Sequence, residues 1–123
     1  MARILITGST DGIGLATART LQEHGHDVVF HARSDERAAT LDGAPEVLVA
    51  DLASLEQTRA MAAAAGKFDV VIHNAGIGGQ DERRETGDGL ERTFQVNVLA
   101  PYLLTALIGR AGPGQGGPGG WSI

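Results

Sequence analysis

Glycines at positions 8, 12 and 14 fall in the run Thr7-Gly8-Ser9-Thr10-Asp11-Gly12-Ile13-Gly14. A short apolar segment leads into this run, and residues at helical spacing follow it. Glycine at such a junction permits a tight turn and a close approach of the backbone to a ligand. A helix starting at the end of the run presents free N–H groups and a partial positive charge, which suit a phosphate. The alternative is a strand-to-helix loop that merely needs glycine. A second position bears on the same chemistry. The chain reads Phe30-His31-Ala32-Arg33-Ser34 about 20 residues beyond the glycines. An acid there would bond the ribose 2′-OH of NAD; Ala32 stands in its place, and the guanidinium fork of Arg33 suits a 2′-phosphate. NADP(H) is therefore expected over NAD(H). A solvated loop charge is the other reading of Arg33.

These residues need elements to hold them, and the hydrophobic pattern supplies strands and helices in alternation. Strands are expected at Arg3–Thr7, Asp27–Ala32, Glu46–Ala50 and Asp69–His73. Helices are expected from Ile13 to His24, stopped by Gly25; from the N-cap Ser34 to about Asp42-Gly43; from Ser54 to Gly66; and over Gly89–Leu107. Gln57, three residues beyond Ser54, completes a capping box on paper. The order βαβαβαβα predicts a Rossmann-type doubly wound α/β fold, incomplete, with parallel strands in the spatial order 3-2-1-4. Inside the last helix Pro101 has no N–H, so the carbonyl of Asn97 loses its i+4 donor and a kink is expected.

The pattern Thr-Gly-x-x-x-Gly-x-Gly, followed by Asp51-Leu52, His73-Asn74-Ala75-Gly76 and Asn97, resembles the N-terminal half of the short-chain dehydrogenases/reductases. The resemblance covers about residues 1–108. It implies that Gly8, Ser9, Asp11, Gly12, Ile13 and Gly14 meet the cofactor and that Asp51 and Leu52 contact its adenine. Asn74, Ala75 and Gly76 would line the same cleft. Asn97 would be the residual catalytic member, holding a water through its main chain. Each position also has a plainer use. Asp51 can cap a turn, Gly76 can supply a positive φ, Asn74 can bond to neighbouring backbone, and the Asn97–Pro101 pair can be a packing kink. The family's chemistry further needs a Tyr with a Lys four residues on. This sequence has one Tyr, Tyr102, followed at that spacing by Ala106, and one Lys, Lys67. The expectation is hydride-transfer ancestry, with this chain binding cofactor and not itself turning over. A non-catalytic nucleotide-binding module, acting as a sensor, is the alternative.

Composition bounds the rest. The 123 residues carry a net charge of −5, which disfavours a nucleic-acid partner. With no cysteine there are no disulfides or thiolate metal sites, and the scattered histidines show no metal spacing. No apolar run reaches the ~20 residues a membrane span needs, and a cytoplasmic location is expected. Glycine numbers 18, and seven of these lie between Gly109 and Gly120. The division is therefore a dinucleotide-binding domain over 1–108 and a disordered Gly/Pro-rich tail over 109–123. The abrupt change after Leu107 suggests a chain cut short, in a shifted reading frame. Without a fifth strand, Val70-Val71-Ile72 would be an open edge. Self-association is expected through that edge or through the 89–108 helix.

Overall fold

A computed structural model describes residues 1–43, 46–75, 95–110 and 121–122. Strand β1 (Arg3–Ile6) leads into helix α1 (Gly12–Glu23), and β2 (Asp27–Ala32) into a short α2 (Asp35–Ala38). Then come β3 (Val47–Val49), α3 (Leu55–Ala65), and the strands β4 (Lys67–Phe68) and β5 (Val70–Ile72). A π-helical turn, Gln95–Leu99, runs into α4 (Ala100–Leu107), and β6 (Gly109–Arg110) and β7 (Trp121–Ser122) complete the described chain.

The main sheet has the order β3-β2-β1-β5-β7. All its pairings are parallel, with Ile4 opposite Val28 on one side and Val70 on the other. This matches the expected doubly wound order, with β5 as the fourth strand. Period-two alternation divides the strand residues between two cores. Leu5, Val29 and Val71 pack with Met61, Ala62 and Ala65 of α3 and with Ala100 and Leu104 of α4. Ile4, Ile6, Val28 and Phe30 pack on the opposite face, against Leu15, Ala18 and Leu21 of α1. Because both faces are covered, the strands read as continuous apolar runs.

Local signals place the helix ends. The Ser34 and Ser54 hydroxyls accept from the N–H of Arg37 and Gln57, each 3.2 Å away, as N-caps do. The Gln57 side chain does not close the expected box on Ser54: its Oε1 accepts from the Asp51 N–H at 2.9 Å, tying the end of β3 to α3. Gly25 follows α1 with φ 86° and Gly66 follows α3 with φ 77°, both in the left-handed region that glycine enters freely.

One expectation about the C-terminal part is corrected. Trp121 and Ser122 pair in parallel with Val70 and Val71, so β5 is flanked on both sides and is not an open edge. Gly109 and Arg110 pair with Lys67 and Phe68 in a separate two-stranded sheet. The last helix also differs. Residues 89–94 lie outside the described residues, and Pro101 sits in the first turn of α4, just beyond the π-helical turn. Pro101 lacks the N–H that would bond back into that turn, and the change of helical register falls where this bond is missing.

Candidate functional site

At the carboxyl ends of β1, β2, β3 and β5 lies a cleft of about 410 Å³. Its wall brings together Gly8, Asp11, Gly12 and Ile13 from the first loop, Arg33 after β2, Asp51 and Leu52 after β3, and Asn74 and Ala75 after β5. These are nine of the residues the sequence nominated, collected from four separate connections. Gly76 lies outside the described residues.

The loop between β1 and α1 is built for close approach. Gly8 has φ 65°, and a Cβ there would lie 2.9 Å from the Ala75 Cα. A Cβ on Gly14 would collide with the Asn74 amide and the Gly8 carbonyl. Gly12 has φ 57°, with nothing within 4 Å of its would-be Cβ. The first helical bond of α1 runs from the Leu15 N–H to the Asp11 carbonyl at 3.1 Å, and Asp11 makes no side-chain cap. The amides of Gly12, Ile13 and Gly14 thus precede the helical ladder, and Gly12 and Ile13 lie on the cleft wall. An unfilled glycine at the mouth and uncapped amides behind it fit the pyrophosphate of a dinucleotide.

Ser9 is placed differently from the expectation of direct contact. It is fully buried behind the loop, where its hydroxyl donates to the Ile6 carbonyl at 2.9 Å and accepts from the His31 N–H at 2.9 Å. Gly14 is likewise buried and serves packing. Both shape the cradle from underneath.

Across the cleft, buried Thr7 anchors the segment after β5. Its Oγ1 accepts from the N–H groups of Asn74 and Ala75, each at 3.1 Å. The Asn74 side-chain amide then donates to the Gly8 carbonyl at 3.0 Å. Asn74 therefore does both things expected of it: it braces backbone and faces the cleft. Asp51 also combines two roles. Its carboxylate accepts from the Ala53 N–H at 2.9 Å, which is the turn cap, while the residue lines the cleft.

Sequence reasoning passed over Arg37 and His31. Arg37 lines the cleft from α2, and its guanidinium meets the Asp11 carboxylate at 3.1 Å. Arg33 is exposed beside it and has no hydrogen bond or ion pair among the described residues. An i, i+4 pair of arginines beyond the second strand was the available signal for Arg37. His31 is 2% exposed, with Nδ1 accepting from the Gly8 N–H and Nε2 bonded to the Ala50 carbonyl, each at 2.8 Å. Burial pushes its pKa below the usual imidazole value, opposed by the Ala50 hydrogen bond and the charge of Asp51. Nothing in the spacing of the run Val28–Ala32 marks this role.

Asn97 lies in the π-helical turn and is exposed; it is not on the cleft wall, although its neighbour Val96 is. His73, at the end of β5, bonds through Nε2 to the Thr105 hydroxyl at 3.0 Å. Its Nδ1 is buried without a partner among the described residues, and burial lowers its pKa.

Comparison with known proteins gives a consistent picture. A family model described as short chain dehydrogenase matches residues 2–117. An uncharacterized oxidoreductase of Emericella nidulans is 53% identical over 117 residues, an alignment covering 88% of this chain and 46% of that protein. A short-chain dehydrogenase of Penicillium rubens is 50% identical over 115 residues, covering 88% and 44%. Among solved structures, an uncharacterized protein from Mycobacterium paratuberculosis superimposes with a TM-score of 0.79 at 33% identity, over 88% of this chain and 41% of that one. A short-chain dehydrogenase from Sphingobium yanoikuyae, in complex with NADPH, gives 0.70 at 30% identity, over 88% and 47%. The chain spans a little under half the length of these relatives.

Proposed function

This chain belongs to the short-chain dehydrogenase family, and on that premise we propose that residues 1–108 bind a nicotinamide dinucleotide, with NADP(H) preferred over NAD(H). The observation that carries the reading is the cleft itself. Uncapped amides at the start of α1, an unfilled Gly12 and the braced Gly8–Asn74 contact lie opposite Asp51 and Leu52, with Arg33 at one end. In this assignment the pyrophosphate lies over Gly12–Gly14, the adenine against Asp51 and Leu52, and the 2′-phosphate against Arg33. Asn74 and Ala75 continue the wall toward the nicotinamide. The bound cofactor would supply a hydride acceptor or donor for an alcohol or carbonyl carbon.

The 123 residues supply the binding half of that chemistry. Tyr102 is exposed on α4 with Ala106 four residues beyond, so no Tyr-x-x-x-Lys pair is present to move the proton. This favours, for these residues alone, a module that binds nucleotide without turnover. Titration with NADPH and NADH, followed by fluorescence and by thermal unfolding, tests the reading. Binding of NADPH ahead of NADH is expected, with a rise in Tm that grows with ligand concentration. Failure of both to bind would overturn the assignment. Purified chain that reduces carbonyl substrates at ordinary enzyme rates would overturn the binding-only half of it.

The surroundings of this function are also proposed. The acidic balance fits a partner list without nucleic acid, and no helix among the described residues is long and apolar enough to cross a membrane. A cytoplasmic location agrees with these features. Self-association is assigned to the outward face of α4, since β5 is flanked by β7.

A further inference from the structure

His31 is joined to the glycine-rich loop at both residue 8 and residue 9. Its main chain and side chain are both engaged. The Ser9 N–H donates to the His31 carbonyl at 3.2 Å, and the His31 N–H donates to the Ser9 hydroxyl at 2.9 Å. The imidazole then bridges the Gly8 N–H to the Ala50 carbonyl, with 2.8 Å at each end. One ring thus ties the end of β1, the end of β2 and the end of β3 together beneath the cleft.

The tautomer follows from the partners. A backbone N–H can only donate, so Nδ1 must carry the lone pair, and a carbonyl can only accept, so Nε2 must carry the proton. The Gly8 amide is thereby turned inward, while its carbonyl is held by Asn74. Both polar groups of Gly8 are fixed, which leaves the amides of Gly12 and Ile13 on the cleft wall as the phosphate donors. A proton on Nδ1 would set two donors against each other at 2.8 Å. The Gly8–His31 contact would then have to open, because the Gly8 amide would lose its acceptor and the ring, 2% exposed, is held in place by the Ala50 carbonyl.

We propose that His31 is a positioning residue for the dinucleotide loop, competent only as the neutral imidazole, so that acidification releases the loop and weakens cofactor binding. The assignment rests on the dinucleotide reading above. The charged groups sharing this cleft are Asp51 after β3, Asp11 in the loop, Arg33 after β2 and Arg37 on α2. Of these the charge of Asp51 bears on His31, and it opposes the burial that keeps the ring neutral. If binding strictly requires the neutral ring, apparent affinity falls about tenfold for each pH unit below the His31 midpoint.

The test uses the full chain and NAD⁺, whose phosphates stay ionised throughout; the 2′-phosphate of NADP⁺ takes up a proton near pH ~6 and would confuse the profile. NAD⁺ affinity is measured from pH 8 to pH 5 for the native chain and for His31→Asn. The Asn carboxamide oxygen lies close to where Nδ1 sits, can accept from Gly8 and does not titrate. The native chain should lose affinity on acidification, and the Asn variant should give a flat profile while retaining all four neighbouring charges. In the free native chain, the Gly8 amide resonance should move with the His31 ring titration, a readout that needs neither variant nor ligand. An acid limb that persists in the folded Asn variant, or a Gly8 amide indifferent to the His31 titration, would overturn the assignment. NAD⁺ binding that stays constant from pH 8 to pH 5 in the native chain would overturn it too, while sparing the dinucleotide reading. No binding of NAD⁺ or NADP⁺ even at pH 8 would remove the dinucleotide reading and this assignment together.

Discussion

Arg33 and Arg37 stand four residues apart at one end of the cleft, yet only one is committed. Arg37 is paired with Asp11, whereas Arg33 has no hydrogen-bonding or ionic partner among the described residues. Arg33 is therefore the group left to meet a 2′-phosphate. Arg33→Ala should weaken NADPH binding by about 1.5–3 kcal/mol, the worth of a charge-assisted hydrogen bond, and leave NADH nearly unchanged. Equal losses for both cofactors, in parallel titrations, would make Arg33 structural. The glycines differ just as sharply. A Cβ at Gly14 meets Asn74 and the Gly8 carbonyl, so Gly14→Ala should cost roughly 1–3 kcal/mol as overpacking does. Urea unfolding measures it, and an unchanged midpoint would show that the loop relaxes freely. The three glycines were legible from their spacing at a strand-to-helix junction, and Asp51 and Asn74 because each follows the end of a strand. Thr7, Ser9 and His31 were not legible as braces, because the contacts of Thr7 with Asn74 and of His31 with Gly8 and Ser9 join residues far apart along the chain, which only the packed sheet brings together.

At the scale of elements, hydrophobic period and caps foretold most of what forms. The segment Asp27–Ala32 is a strand over its full expected length, and β1, β3 and β5 fall within one or two residues of their expected ends. The Ser34 and Ser54 caps are in place, although α2 is only one turn long. The π-helical turn before α4 had a signal in Pro101, but proline predicts a disruption and not its form. Strand β7 had no signal at all. Two residues beyond a glycine-rich stretch carry no apolar run, and their pairing with Val70 and Val71 is a backbone matter. Since β5 is flanked, the outward side of α4 is the remaining candidate for self-association. Leu104 is fully buried toward α3, while Tyr102 and Leu107 are 68% and 50% exposed. Leu107→Glu should shift the sedimentation of an associating native chain toward monomer. A native chain that sediments as a monomer at tens of micromolar would discard the α4 interface.

Across the whole molecule, the alternation of strand and helix was enough to forecast a sheet covered on both sides with the glycine loop at its carboxyl end. That layout also determines how acid acts on the fold. The ends of β2 and β5 carry His31 and His73 into the covered region, and burial lowers the pKa of both. In the unfolded chain an imidazole takes up its proton near pH 6.5. In the folded chain these two resist it, so below that pH the unfolded state binds more protons. Their contribution to stability is thus fully present above about pH 6.5 and is lost as pH falls from there toward the folded values. His31 alone can contribute a slope of at most about 1.4 kcal/mol per pH unit through that window. No group among the described residues offsets the burial of the His73 ring, so His73 adds to the slope in the same direction. Urea midpoints should accordingly be level between pH 7 and pH 8 and fall steadily from pH 6.5 to pH 5.5. His73→Asn and His31→Asn should each make that decline shallower in whatever fraction remains folded. Stability that is level or rising between pH 7 and pH 5.5 would mean that both rings reach water, and the covered sheet end described here would be wrong.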